Sequence, residues 1–206
     1  MVVYYFYMID YTLTREADVK ENLNISVATY DAIIKRMVYG VTEFIQSYTN
    51  RATFKESAQV EYFSPNGESG LLLLSAYPIS AFTSLQYRSG TQASPTWNTY
   101  DPSTYDYDAK SGVLKFSGTF TKGTNTIRAN YTAGYKIDFA NAYVTANHTL
   151  PFDLWQTATE MVAKAFDKRF SQGKFSEGVE GQSVSWVAEM SKEHKDVLNR
   201  YKNSHL

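Results

Sequence analysis

Three histidines, His148, His194 and His205, are the side chains best suited to move a proton or hold a metal, and they lie far apart in the sequence. None stands in an HxxxH or HExxH pair, the spacing that puts two imidazoles on one helix face. His148 falls in a loop, His194 in a charged helix and His205 at the end of the chain. The run Asp101-Pro102-Ser103-Thr104-Tyr105-Asp106-Tyr107-Asp108 resembles a calcium loop at first sight. Gly112 is misplaced for an EF-hand and no glutamate closes the loop, so a turn-rich hairpin accounts for the run better. There is no GxGxxG, no GxxxxGK[ST] and no GxSxG. No two carboxylates are placed together as a glycosidase would need. Asn24-Ile25-Ser26, Asn130-Tyr131-Thr132 and Asn147-His148-Thr149 fit the glycosylation sequon, but with no secretory signal they read as chance. The expectation is a protein with no catalytic residue, no cofactor site and no metal site.

Composition narrows the classes further. With 206 residues, 43% of them apolar, the chain can bury a core and fits one domain. Its formal net charge of -1 gives no electrostatic grip on nucleic acid or anionic lipid. The absence of cysteine excludes disulfides and thiol chemistry. The 17 tyrosines suit either sheet packing or a protein interface. The longest apolar run in the body, Leu71 to Leu74, is far too short to span a membrane.

The elements that would position any site are organised around Tyr30 to Tyr48. Tyr30, Ile33, Ile34, Met37, Val38, Val41, Phe44, Ile45 and Tyr48 recur at steps of three and four, which predicts one wide apolar face on a long helix. Before it, Met1 to Met8 (MVVYYFYM) is apolar, and two readings compete. It is either an upstream start ahead of Met8 or a β-like arm that docks on a neighbour. Thr14, followed by Glu16 and Asp18, predicts an N-cap and a short helix from about Arg15 to Leu23.

After Phe54 the period changes to two. Strands are expected around Val60 and Tyr62, at Leu71 to Leu74 (buried on both sides), at Ala81 to Arg88, near Tyr105, at Val113 to Phe116 and at Thr124 to Thr132. Ser64-Pro65-Asn66-Gly67 and Asp108 to Gly112 read as turns, and Gly90 to Pro102 as a polar loop around Trp97. Leu150-Pro151 opens a second long helix to about Phe170, with Leu154, Trp155, Ala158, Met161, Val162, Ala165 and Phe166 on one stripe. Ser171 to Ser185 is rich in Gly, Ser and Gln and is expected to be mobile. A final amphipathic helix carries Trp186, Val187, Met190, His194, Val197, Leu198 and Tyr201.

The predicted fold class is α+β: a helical bundle, its long central helix packed on the later one, with an inserted antiparallel β unit and a C-terminal helix. The whole chain, 1–206, reads as a single domain. Within it, 9–57 holds the N-terminal helices, 58–135 the β unit, 150–171 the core helix and 172–206 the linker and last helix.

This order of parts resembles the head–tail connector (adaptor) proteins of tailed bacteriophages. Five pieces carry the likeness. They are Leu13 to Ile25 ahead of an aspartate-bearing long helix, and Ile45-Gln46-Ser47-Tyr48-Thr49-Asn50-Arg51 with the aromatic Phe54. Tyr77-Pro78-Ile79 follows a leucine strand, then come Tyr131-Thr132-Ala133-Gly134-Tyr135, and Leu150-Pro151 with Asp153-Leu154. The leader Met1 to Tyr7 and the segment after Phe170 depart from the pattern.

The resemblance implies a structural virion protein of the neck, assembled in the bacterial host cytoplasm, with no catalysis. Such proteins form a ring, usually a homododecamer, under the portal protein. The ring extends the DNA channel and presents a surface to a downstream neck, stopper or tail protein. Genome DNA would pass through without specific binding, and no membrane is involved. In the family the C-terminal segment inserts against the portal, so Trp186, Met190, Val197 and Tyr201 are the expected partner interface. Two alternatives stand beside this. One is a carbohydrate- or surface-binding module using Trp97, Tyr100, Tyr105 and Tyr107 of the β unit, and the other is a stopper or tail-completion protein of the same neck.

Overall fold

The computed structural model describes residues 10–144, 146–171 and 190–203. Its residues fall into two compact units, one built from the N-terminal 50 residues together with 137–202, the other from 51–136 with the last four residues.

The first unit is helical. Helix α1 (Glu16–Asn22) is followed by a 3-10 turn (Ala28–Tyr30) that leads into α2 (Asp31–Tyr48). Helices α3 (Phe152–Ser171) and α4 (Lys192–Arg200) complete it. Helix α3 packs against each of the other three. Ile34, Val38, Val41 and Ile45 of α2 and Leu154, Ala158, Val162 and Phe166 of α3 are buried, as the 3.6-residue period of both segments requires. The Tyr30 and Phe166 rings meet edge to face at 5.3 Å, so α2 starts where α3 ends.

Thr14 is not the cap of α1. Its hydroxyl is buried and shares a hydrogen bond of 2.6 Å with the Thr159 hydroxyl of α3. Arg15 holds the cap position, and the Asp18 carboxylate accepts from both its backbone N–H and its guanidinium. An N-cap is chosen by backbone geometry as well as by residue type, and here the threonine joins two helices instead.

The second unit holds two antiparallel sheets over one core. The larger has the order β1 (Ser57–Phe63), β7 (Ile127–Ala133), β3 (Ile79–Gly90), β4 (Pro95–Thr99). The smaller has the order β2 (Leu71–Leu73), β6 (Val113–Phe116), β5 (Tyr105–Asp108). Leu72, Leu74, Leu85, Leu114, Phe120, Ile127 and Tyr131 fill the space between them. The fold class is therefore the α+β expected from the sequence.

Two local expectations change. Leu71 is 46% exposed, so the leucine run is a strand buried on one face and not on both. Strand β4 lies inside the stretch read as a polar loop. It pairs with β3 (Arg88 opposite Trp97) at the sheet edge, where only Trp97 signals a packed face among polar neighbours.

One carboxylate lies on the inner side of the larger sheet. Glu61 is opposite Ala129 and on the same face as Phe63. It accepts from the Ser75 backbone N–H at 3.0 and 3.2 Å, and Ala76 N–H donates to the Tyr131 hydroxyl at 3.3 Å beside it. Burial pushes the Glu61 carboxyl above its ordinary pKa, against the two hydrogen bonds from Ser75 and Tyr131 that favour the ion. A raised folded pKa means that this group's contribution to stability is full below the unfolded value of about 4.3 and is lost as pH rises through the folded one. Glu61→Gln keeps an oxygen for Ser75 and cannot ionise. Thermal melts should show wild type losing stability relative to this variant as pH rises above about 4; parallel curves would contradict the assignment.

Candidate interaction surface

The carboxylates of the acidic run at Asp101 and Asp108 are engaged by their own turns. Asp101 accepts from the Ser103 N–H and hydroxyl, both at 2.9 Å, and Asp108 from Lys110 N–H at 2.9 Å and the Ser111 hydroxyl at 2.6 Å. Each carboxylate caps its own turn, and these bonds hold both below the ordinary carboxylate range, led by the Ser103 backbone for Asp101 and the Ser111 hydroxyl for Asp108. Among the described residues no three His, Asp or Glu side chains are grouped to hold a metal. His148 is buried between the Phe139 and Trp155 rings, at 5.4 and 5.5 Å, with Nδ1 accepting from Asp138 N–H. His194 Nε2 meets Glu160 Oε2 at 2.9 Å and ties α4 to α3. Both rings are buried, and they lie on different elements.

The aromatics proposed as a sugar platform do not share a face. Tyr100 and Tyr105 pack on the core between the sheets, and Tyr107 stacks on Phe82 at 4.9 Å. Trp97 stands on the opposite, outer face of the larger sheet, 5.7 Å from the Tyr62 ring and beneath the Arg128 guanidinium at 4.5 Å.

The residues expected at a partner interface have the following places. Trp186 and the expected mobile linker lie outside the described residues. Met190 is buried, and Val197 is half-buried on α4. Tyr201 donates its hydroxyl to Asp153 Oδ1 at 2.6 Å, where Arg200 also pairs with the same carboxylate at 2.9 Å. Ser191 caps α4 by accepting from His194 N–H, and Tyr48 of α2 donates to Asn199 at 3.0 Å. Helix α4 is thus folded back on its own unit.

A surface the sequence reading missed lies at the start of α3. Tyr143 is 87% exposed and stacks at 6.0 Å on Phe152, itself 56% exposed, with exposed Val144 beside it. Phe152 stacks in turn on Trp155 at 5.9 Å. Trp155 is held from below: its Nε1 donates to Asp18 at 2.9 Å, and the Arg15 guanidinium lies 5.7 Å over its ring. The only sequence signal was the Ala142-Tyr143-Val144 apolar step in a polar loop.

In the second unit, three of the sequence pieces that suggested a family meet at one point. The Arg51 guanidinium lies 4.0 Å over Tyr77, 5.1 Å from Phe54 and 5.9 Å from Tyr135, and it donates to the Tyr77 carbonyl. Gly134 permits this: at φ +113° its missing Cβ would stand 2.5 Å from the Lys55 carbonyl oxygen.

The sequence matches the family model described as "HCP: Head completion protein" over residues 12–204. The chain belongs to the head completion protein family. It is a structural protein of the virion and not an enzyme, as the resemblance to neck proteins implied. No curated protein matches the sequence.

Among solved structures, this head completion protein shares its fold with a chain of "Neck of empty GTA particle computed with C6 symmetry". The TM-score is 0.60 at 12% identity, over 93% of this chain and 90% of that one. A chain of "Virion of native gene transfer agent (GTA) particle" gives a TM-score of 0.57 at 13% identity, over 93% and 90% of the two chains. One from "Neck of native GTA particle computed with C12 symmetry" gives 0.52 at 12% identity, over 92% and 88%.

Proposed function

We propose that this head completion protein is the head–tail adaptor. In this reading, copies of it close into a ring of twelve beneath the portal protein, extend the DNA channel and offer a surface to the next neck or tail protein. The observation that carries the reading is family membership across nearly the whole chain. It is supported by the shared fold with a chain from a neck refined with twelve-fold symmetry. A ring repeats one heterologous contact until it closes, so each copy needs two different adhesive faces. The Tyr143–Val144–Phe152 step supplies one, since large exposed aromatics of this kind are what interfaces bury. A net charge of -1 suits a channel wall that must not hold the DNA passing through it.

The C-terminal segment is the proposed portal contact. Met190 is buried and the Tyr201 hydroxyl is bonded within the chain, so Trp186 and the half-buried Val197 are the residues proposed to meet the portal. The test is light scattering of the protein alone and mixed with the portal protein from the same genome. The expected result is a stoichiometric complex. Val197→Ala should weaken portal binding several-fold while hydrogen exchange at 194–201 stays as in wild type, which separates a lost contact from a released helix. A protein that ignores the portal and binds a downstream neck component would instead be the stopper.

A further inference from the structure

The two sheets of the second unit carry opposite charge on their outer faces. The larger one holds Arg88 and Arg128 outward, and the one carboxylate of its strands, Glu61, is turned to the core. Arg128 is held by its neighbours: its Nε donates to Gln86 at 2.8 Å, and Asn130 donates to Gln86 at 3.1 Å and to Ser84 at 2.9 Å. The Arg88 guanidinium makes no hydrogen bond or ion pair among the described residues. It lines a cleft of ≈ 210 Å³ with Tyr62, Gln92, Pro95, Trp97 and Asn125, none of them acidic. A guanidinium in a cleft without a carboxylate is suited to receive one, because its planar fork matches two oxygens. Small-molecule sites begin at roughly 300 Å³, so this cleft takes a single side chain and not a sugar or a nucleotide. Duplex DNA is gripped by rows of cations, which this face does not have.

We infer that the cleft receives the Asp106 carboxylate of a second copy of this chain. The strands of the smaller sheet carry Asp106 and Asp108 on the edge strand β5 and one cation, Lys115, beside them on β6. Asp108 is engaged by its own turn, whereas Asp106 is exposed and makes no hydrogen bond or ion pair among the described residues. Exposed apolar side chains flank both sites: Leu71 in the Asp106 row, and Tyr62 and Val60 on the face of Trp97. The two faces are therefore opposite in charge and alike in apolar surface, as a contact between them requires. The outer faces of two stacked sheets point away from each other. Successive copies in a ring of twelve need contact faces about 150° apart. Both faces belong to one unit, so the same contact repeats around the ring. The inference rests on the ring reading and names one of its contacts.

The chain has no cysteine, so introduced thiols are its only ones. Gln92→Cys beside the cleft and Lys115→Cys beside Asp106 stand on opposite sides of the unit, too far apart for a disulfide within one copy. Oxidised alone and with the portal protein, the full chain with both cysteines should give a ladder of covalent multimers on a denaturing gel. Each single-cysteine chain should give at most a dimer. In the two-cysteine chain, Asp106→Arg or Arg88→Glu should cut the ladder about fivefold or more, and the two reversals together should restore it. Arg88→Gln, which adds no new charge, should cut it as well. A ladder indifferent to these changes, or none, would overturn the inference. So would an Arg88-dependent affinity for duplex DNA that blocks cross-linking, which would put a phosphate in the cleft. Light scattering with the portal separates the two readings. A portal complex without a ladder removes this contact and leaves the adaptor, and a ladder without portal binding does the reverse.

Discussion

Arg51→Ala is expected to destabilise the protein by about 3 kcal/mol, from a desolvated cation–π contact and a charged hydrogen bond to a backbone carbonyl. Arg51 is only 7% exposed, its guanidinium lies 4.0 Å over the Tyr77 ring, and its Nη1 donates to the Tyr77 carbonyl. Removing it empties the space between Phe54, Tyr77 and Tyr135 and leaves that carbonyl to find another donor. Lysine keeps the charge but not the planar fork, so Arg51→Lys should recover only part of the loss. Guanidinium unfolding followed by circular dichroism measures both. A loss below about 1 kcal/mol for Arg51→Ala would mean that the ring cluster stands without its cation.

Leu198→Asp should release α4. With nine residues α4 is shorter than a helix that holds itself in water, so it exists because it is docked. Leu198 is fully buried in that contact, and a carboxylate there costs several kcal/mol unless it leaves for solvent. Leaving breaks the bonds of Tyr201 and Arg200 to Asp153 and of His194 to Glu160, so the helix opens as a unit. Hydrogen exchange at 194–201 should accelerate at least a hundredfold, while the α3 amides at 158–166 stay protected. Leu198→Met, close in volume, should exchange as wild type does. If α3 loses protection as well, α4 belongs to the core rather than being a separable clasp. In the adaptor reading the open variant also loses the portal.

This bears on the use of the C-terminal segment. Deleting it whole would remove Leu198 and every bond to Asp153, so lost binding would not separate contact from folding. Val197→Ala trims a half-buried side chain of α4, whereas Leu198→Asp releases the helix as a unit.

The sequence by itself determined the helices and most of the strands. Periodicity of 3.6 over α2 and α3 and of two over β1, β3 and β7 is written locally, because it depends only on which neighbours share a face. The lack of any metal or nucleophile pattern is equally local, and the family likeness rested on five short pieces in order. Tertiary structure decided how faces are shared out. It split the α2 stripe into a buried row and a half-buried one, put Thr14 between two helices instead of at a cap, and paired β4 as an edge strand. It also gathered Arg51, Phe54, Tyr77 and Tyr135, up to 84 positions apart, around one guanidinium. A pattern along the chain records that a residue needs a partner; only the path of the returning chain settles which atoms provide it.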